Sequence, residues 1–164
     1  MAKTRKQKEE AVSKIESALK GETSVFVGFT GVSVAQESAM RRAMKGDGVG
    51  YLVTKKTLLR RALKAAGHEE EVELPGEIAI AYTTRSEDAI APARRVHGFG
   101  KEYGSEKITI LGGLFEGRLM DAAAMTEVAT IPSLQSLRGM FAQLINSPRQ
   151  RFAVVLGKVA EARN

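Results

Sequence analysis

Basic side chains are concentrated in one stretch of the sequence, residues 40–64. The stretch contains eight Lys or Arg and one acid, Asp47, so its net charge is +7, whereas the whole chain carries +6. The next window, residues 65–91, contains seven acids and one Arg, a net charge of −6. Clustered Lys and Arg neutralise phosphates and release counterions, which is the chemistry of nucleic-acid binding and needs no catalytic group. The alternative is a pair of helices with solvated charged faces.

Residues that could support catalysis are sparse and poorly placed. The two histidines, His68 and His97, show no metal-ligand spacing, and the acidic run at 69–73 is more typical of a solvated loop than of a cation site. Gly28–Gly31 lies between a predicted strand and a predicted helix, where a phosphate-binding turn would lie. It lacks the G-x-G-x-x-G spacing, and the glycines at 46–50 precede a strand instead of following one. Both are typical of plain turns, so we expect no enzyme, no metal and no cofactor.

The composition restricts the remaining classes. The chain has no Cys, which excludes disulfides, thiolate zinc sites and Cys nucleophiles. The N-terminus is too polar for a signal peptide, and no apolar run approaches the roughly 20 residues of a membrane span. Hydrophobic residues make up 43%, enough for a core, whereas 5% aromatic residues disfavour a protein that stacks many bases. We therefore expect a cytoplasmic protein.

Strands and helices alternate along the first 130 residues. This alternation predicts an α/β layered globular domain over 1–131. Ser33 and Gln36 form a predicted capping box, Asp121 a predicted N-cap, and Gly117 the turn of a small hairpin or arm. Pro92 conflicts with its helix unless it lies near the first turn. The predicted strands are 24–29, 49–54, 77–82 and 107–113, and the predicted helices are 1–20, 33–45, 56–66, about 15 residues from Ser86, and a short helix after Asp121.

Residues 132–164 have a different pattern. An apolar stripe at helical spacing precedes Pro148, which is expected to break or kink the helix, and a second stripe follows it. We therefore expect two C-terminal amphipathic helices, the last at about 149–163. This last helix either docks on its own domain or serves as a rod for a partner. The first stripe is Leu134, Leu137, Phe141, Leu144 and Ile145, and the second is Phe152, Val155, Leu156 and Val159.

Five segments, taken together, carry a family resemblance. The resemblance extends over essentially the entire chain. Its sharpest elements are the strand–turn segment VFVGFTGVSVAQ, the basic segment YLVTKKTLLRRAL, and IPS before the final helices; the other segments are LPGEIAIAY and KITILGGLFEGRLM. The sequence resembles the L10 family of bacterial large-subunit ribosomal proteins, which form the base of the lateral stalk. The family usually carries Asn where this chain has Lys56, and the added charge favours phosphate binding.

The resemblance implies a fold, a function and partners. It implies an alpha-beta-plait domain that binds the GTPase-associated region of large-subunit rRNA beside a neighbouring RNA-binding stalk-base protein. It also implies a terminal helix that anchors dimers of the acidic stalk protein, which recruit translation GTPases. Two alternatives remain: a ribosome-assembly factor of the same fold at the same rRNA site, and a nucleotide hydrolase that uses the Gly28–Gly31 turn.

Under this resemblance, the expected site residues fall into two groups. The RNA-binding group would supply phosphate-binding charges, a close backbone approach at one glycine and one hydroxyl. It comprises Lys3, Arg5, Lys6, Lys8, Gly31, Arg41, Arg42, Lys45, Lys55, Lys56, Thr57 and Arg60. The partner-binding group would bury apolar side chains against the stalk dimers, and it comprises Phe152, Val155, Leu156 and Val159.

Overall fold

The computed structural model describes residues 5–68, 74–84, 88–104 and 106–163, and for residues 5–8 it describes the backbone only. The acidic run at 69–73 therefore lies outside the described residues. The chain divides into two compact units, Met1–Ile131 and Pro132–Asn164. The helices are α1 (Arg5–Leu19), α2 (Val34–Gly46), α3 (Lys56–Ala65), α4 (Ala91–Tyr103), α5 (Ala122–Thr130) and α6 (Leu134–Arg163), and the strands are β1 (Thr23–Phe29), β2 (Val49–Thr54), β3 (Glu77–Thr83), β4 (Ile108–Phe115) and β5 (Arg118–Asp121).

The five strands form one antiparallel sheet. Their order is β2-β3-β1-β4-β5, so β2 lies at one edge of the sheet and β5 at the other. The predicted α/β class and the four predicted strands are confirmed. The segment around Gly117 is the predicted hairpin, in which Leu114 pairs with Leu119 across the turn. Since Gly117 has a φ of 75°, glycine suits this turn.

The central strand β1 separates two hydrophobic clusters. Val25 and Val27 pack in a cluster with α2, α4 and α5, whereas Phe26, between them, packs in a cluster with α1 and α3. Successive side chains of a strand point to opposite faces of the sheet, so the two groups of helices cover opposite faces. This strand is buried on both faces, because its first six residues are all buried.

The predicted N-terminal caps are confirmed. The Ser33 hydroxyl accepts a hydrogen bond from the Gln36 backbone N–H, and the Gln36 side chain accepts one from the Ser33 N–H at 3.1 Å. The Asp121 carboxylate accepts a bond of 2.9 Å from the Ala124 N–H at the start of α5. Each cap satisfies N–H groups that a helix leaves without an internal partner.

Two local predictions are wrong. The helix predicted from Ser86 begins at Ala91, and Ser86 itself lies outside the described residues. Pro92 therefore occupies the first turn, where the missing N–H costs no helical hydrogen bond, and the conflict disappears. Gly28 is not part of a turn but lies inside β1, where an added Cβ would come within 2.9 Å of the Thr109 hydroxyl oxygen.

The predicted break at Pro148 is also wrong. A single 30-residue helix, α6, runs through this proline, so no separate last helix begins at about 149. The physical reason is that proline has a fixed φ of about −65°, which is itself helical. Proline removes one hydrogen bond from the helix interior, a loss that long helical segments on both sides tolerate.

The close pairing of β4 with β1 at Gly113 leads to a stability prediction. A Cβ at this position would lie 2.5 Å from the Ser24 carbonyl oxygen and 2.4 Å from the Met125 methyl group. Because a backbone atom cannot move aside as a flexible side chain does, we expect Gly113→Ala to lower the free energy of unfolding by about 1–3 kcal/mol. The control is Gly46→Ala, where nothing lies within 4 Å of the added Cβ. Urea unfolding of both variants checks this, and equal midpoints would contradict the close approach.

Candidate nucleic-acid interface

The strand register brings several predicted site residues to one end of the sheet. Phe29, near the end of β1, pairs with Glu77 and with Ile108, and Thr54 at the end of β2 pairs with Ile78. The ends of β1 and β2 and the starts of β3 and β4 therefore meet, and we call this the Lys55 end of the sheet. The segments that carry Gly31 and Lys55–Thr57 follow β1 and β2 directly, so they belong to this end.

The turn after β1 has a defined conformation. The Thr30 N–H donates a hydrogen bond of 2.9 Å to the Lys107 carbonyl oxygen, which joins the turn to the segment before β4. Gly31 is exposed and has a φ of 66°, a conformation that L side chains rarely adopt. An added Cβ would meet nothing within 4 Å, so the glycine is required for its backbone conformation and leaves an open backbone surface.

The junction between β2 and α3 presents the next predicted residues. Lys55 is the N-cap of α3 in an extended conformation, and no side chain caps the helix. Its carbonyl oxygen accepts bonds from the Leu58 and Leu59 N–H groups at 3.0 and 3.1 Å. Lys55 and Thr57 are exposed and Lys56 is half-buried. These side chains therefore extend from an ordered helix start, where the positive end of the helix dipole also favours anions.

The basic stretch at 40–64 wraps around the edge strand. Met40 and Met44 anchor α2 in the cluster on one face of the sheet, whereas Leu59 and Leu63 anchor α3 in the cluster on the other face. Arg42 and Lys45 on α2 and Arg60 on α3 are exposed on these two sides of β2. The predicted basic residues are thus neighbours in sequence but surround the sheet edge in space. A polyanion that binds all of them must reach both sides of β2.

One predicted residue, Arg41, already has partners within the protein. Its guanidinium lies 2.6 Å from the Glu37 carboxylate and 5.1 Å from the centre of the Tyr51 ring. Asp47, the only acid of the basic stretch, is 2.6 Å from Arg95 on α4. The free positive charge of the stretch is therefore carried mainly by its other basic residues.

The structure also adds two basic residues that were not among the expected RNA-binding residues. Lys14 on α1 and Arg61 on α3 line a groove at the Lys55 end, together with Lys55, Lys56 and Thr57. Lys14 was missed because it stands in an ordinary amphipathic helix, and only the packing of α1 beside α3 brings it here. Lys3 lies outside the described residues, as do the side chains of Arg5, Lys6 and Lys8, so their predicted role is untested.

Among the titratable groups of the described residues, Tyr51 on β2 is the one with a clearly shifted pKa. Burial, and to a lesser extent the Glu37 carboxylate, raises the pKa of Tyr51 from 10.0 to about 12, and Arg41 opposes this shift. Its hydroxyl is buried and has no hydrogen-bond partner among the described residues. Tyr51 therefore remains neutral near pH 7 and holds Arg41 through its ring, not its hydroxyl.

The raised pKa of Tyr51 predicts how stability depends on alkaline pH. The contribution of Tyr51 to the free energy of unfolding is fully present below pH 10. It is lost as the pH rises from about 10 to about 12, because the tyrosine of the unfolded state releases its proton first. At pH 8 we expect the free energy of unfolding of Tyr51→Phe to equal or exceed that of wild type, since the substitution removes an unpartnered hydroxyl. Between pH 10 and 12 the variant should lose stability less steeply than wild type. Urea unfolding of both proteins at pH 8 and pH 11 measures this, and parallel losses would contradict it.

The second predicted surface lies on α6. Phe152, Val155, Leu156 and Val159 are 66%, 56%, 53% and 57% exposed, so all four apolar side chains face solvent. The apolar residues before Pro148 are also exposed, and because the helix is continuous the two stripes belong to one element. None of the described side chains of α6 is buried.

The described part of the chain has neither a metal-binding cluster nor a membrane-spanning helix. No group of three or more His, Cys, Asp or Glu there is arranged to hold a metal ion. Within the same residues, no helix combines the length and apolar character needed to cross a membrane.

Comparison with known proteins gives a consistent result. The pattern of the family described as Ribosomal protein L10 matches residues 3–101. The large ribosomal subunit protein uL10 of Shouchella clausii is 34% identical over 99% of this chain and 97% of its own length. The proteins of the same name from Staphylococcus epidermidis and Delftia acidovorans are 35% and 34% identical, over 95% and 100% of this chain and 93% and 92% of their own lengths. The chain therefore belongs to the ribosomal protein L10 family and is a structural ribosomal protein, not an enzyme.

Proposed function

We propose that the protein is a component of the large ribosomal subunit that binds rRNA through the basic surface around β2. The clustering of exposed Lys and Arg on both sides of this edge strand carries the proposal. Folded RNA is recognised mainly through its shape, its phosphates and its 2′-hydroxyl groups, which a basic surface with few aromatic residues can contact. By the family resemblance, the rRNA segment is the GTPase-associated region, and the ribosome is cytoplasmic.

The RNA contacts divide naturally into two kinds. Arg42, Lys45, Lys55 and Arg60 are exposed and would act as phosphate-binding charges whose contribution falls with salt. Gly31 and Thr57 would contribute the close backbone approach and a hydroxyl contact to a phosphate or ribose. Arg41 would contribute less than its neighbours, because binding RNA requires it to give up the Glu37 carboxylate.

We further propose that α6 anchors dimers of the acidic stalk protein, which in turn recruit translation GTPases. Residues 133–164 contain five basic residues and one acid, so the segment complements an acidic partner electrostatically. The exposed stripe supplies the apolar surface: burial of each of the four side chains from Phe152 to Val159 contributes about 1.5–3 kcal/mol before the cost of ordering. The continuous helix of 30 residues is about 45 Å long, so the rod is longer than the segment after Pro148.

An assembly factor of the same fold is the alternative at the RNA site. Such a protein would bind the same rRNA for a limited time and would have no need of an exposed apolar helix for the stalk protein. The exposed stripe on α6 therefore favours the permanent ribosomal component.

Co-expression with the acidic stalk protein tests both parts of the proposal. We expect the full chain to form a complex whose intact mass equals one copy of this chain plus an even number of stalk-protein copies. A chain that ends at Ile131 should keep its affinity for the rRNA fragment and lose the stalk protein completely. If the full chain purifies without the stalk protein, α6 is not the anchor. If it does not bind the rRNA fragment at low salt, the basic surface has another role.

A further inference from the structure

The groove at the Lys55 end has a composition that a purely phosphate-binding surface does not need. It has a volume of about 1080 Å³, comparable to the roughly 300–1,000 Å³ of small-molecule sites. Ala11 and Leu52, which are half-buried, contribute the apolar wall, and the lining at the end of β1 includes Phe29. Ile15, Leu58 and Ile78 lie beneath this wall and are almost fully buried. A surface that contacts only the RNA backbone needs neither depth nor apolar walls.

We propose that this groove receives one unstacked RNA nucleotide, with its base against the apolar walls and its phosphate on the basic rim. The inference rests on the proposed rRNA binding and specifies how one nucleotide of the RNA is bound. Sequence-specific recognition of RNA uses bases that leave the stack and lie against aromatic or apolar side chains. Burial of a base here would remove apolar surface of α1 and β2 from water, which is favourable without any net change in charge.

The net charge of the groove rim favours a nucleotide over an apolar protein segment as the occupant. Lys14, Lys55, Lys56 and Arg61 line the groove together with two acids, Glu10 and Glu77, a net charge of +2. A nucleotide offers an apolar face and an anion only a few bonds apart, which matches this arrangement. An apolar peptide segment would fill the walls but leave the excess positive charge without a partner.

The test uses variants that fill the groove without changing its charge. Ala11→Phe places a ring at the α1 wall, and Thr54→Trp places one at β2, on the strand face that carries Leu52. The control is Ala123→Phe on the exposed side of α5. We expect both groove variants to bind the rRNA fragment about tenfold more weakly than wild type, as for loss of one stacked base, and the control to bind equally. The slope of log affinity against log salt should change by no more than one phosphate contact, about 0.7–0.9, because the variants keep every basic side chain of the rim.

A second measurement needs no variant and is independent of folding. In the wild-type protein, the Ala11 and Leu52 methyl resonances should shift on RNA binding because a base ring lies beside them, while the methyl of the buried Ile80 should not. Unmoved Ala11 and Leu52 methyls, or groove variants that bind as tightly as wild type, would overturn the nucleotide site and leave rRNA binding intact. Failure of wild type to bind RNA would instead reject the proposed function. Groove variants that bind RNA normally but lose a neighbouring ribosomal protein would assign the groove to a protein segment.

Discussion

Replacement of Phe152 and Leu156 by Asp is expected to abolish binding of the acidic stalk protein. The two side chains are four residues apart, so they lie on one face of α6, and both are more than half exposed before binding. Each substitution removes about 1.5–3 kcal/mol of apolar burial and places an unpaired carboxylate in an apolar interface. The expected loss of affinity is at least about a hundredfold. Pull-down and association kinetics with the purified stalk protein measure it.

The matched control removes charge from the same helix. Arg151 and Lys158 lie about a quarter turn or more from the centre of the stripe, and replacing both with Ala lowers the positive charge without changing the apolar residues of the stripe. This variant should bind more slowly, with a modest change in affinity, because electrostatic attraction acts mainly on association. If the charge variant binds as poorly as the Asp variant, attraction between opposite charges dominates and the stripe is not the docking surface.

The second large effect concerns the lysines at the start of α3. Lys55→Glu together with Lys56→Glu should weaken rRNA binding strongly and reduce the slope of log affinity against log salt by about 1.5, the value for two lost phosphate contacts. The fold should tolerate both changes, because acids at a helix N-terminus are stabilised by the helix dipole. Thermal melting confirms the fold, and binding titrations at several salt concentrations give the slope.

A charge-matched control lies at the opposite end of the sheet. Lys20 and Arg118 are exposed near the pairing of Thr23 with Phe115, far along the strands from Lys55. Reversing these two charges changes the net charge of the protein by the same amount. If the control lowers affinity and slope as much as the Lys55 and Lys56 variant, then the protein attracts RNA through its overall charge and no basic surface is specific.

Much of the local structure was predictable from the sequence. The strand at residues 77–82, the capping box at Ser33 and the N-cap at Asp121 were predicted and are elements that the structure confirms. These features depend on neighbours within about four residues, so short-range chemistry is sufficient to specify them. The start of α4 was missed by five residues, because the favourable position of Pro92 in the first turn is known only when the helix boundary is known.

The sequence by itself determined the concentration of basic residues at 40–64, the apolar stripes of residues 134–159 and the family. Only the tertiary structure decided how the basic residues are arranged. Antiparallel pairing put β2 at the sheet edge, and the packing of α2 and α3 on opposite faces placed their charges on both sides of it. The groove that adds Lys14 and Arg61 exists because α1 packs beside α3, a contact between residues more than 40 positions apart. Such contacts depend on which helix and sheet faces are buried together. The local sequence around the contacting residues does not show this.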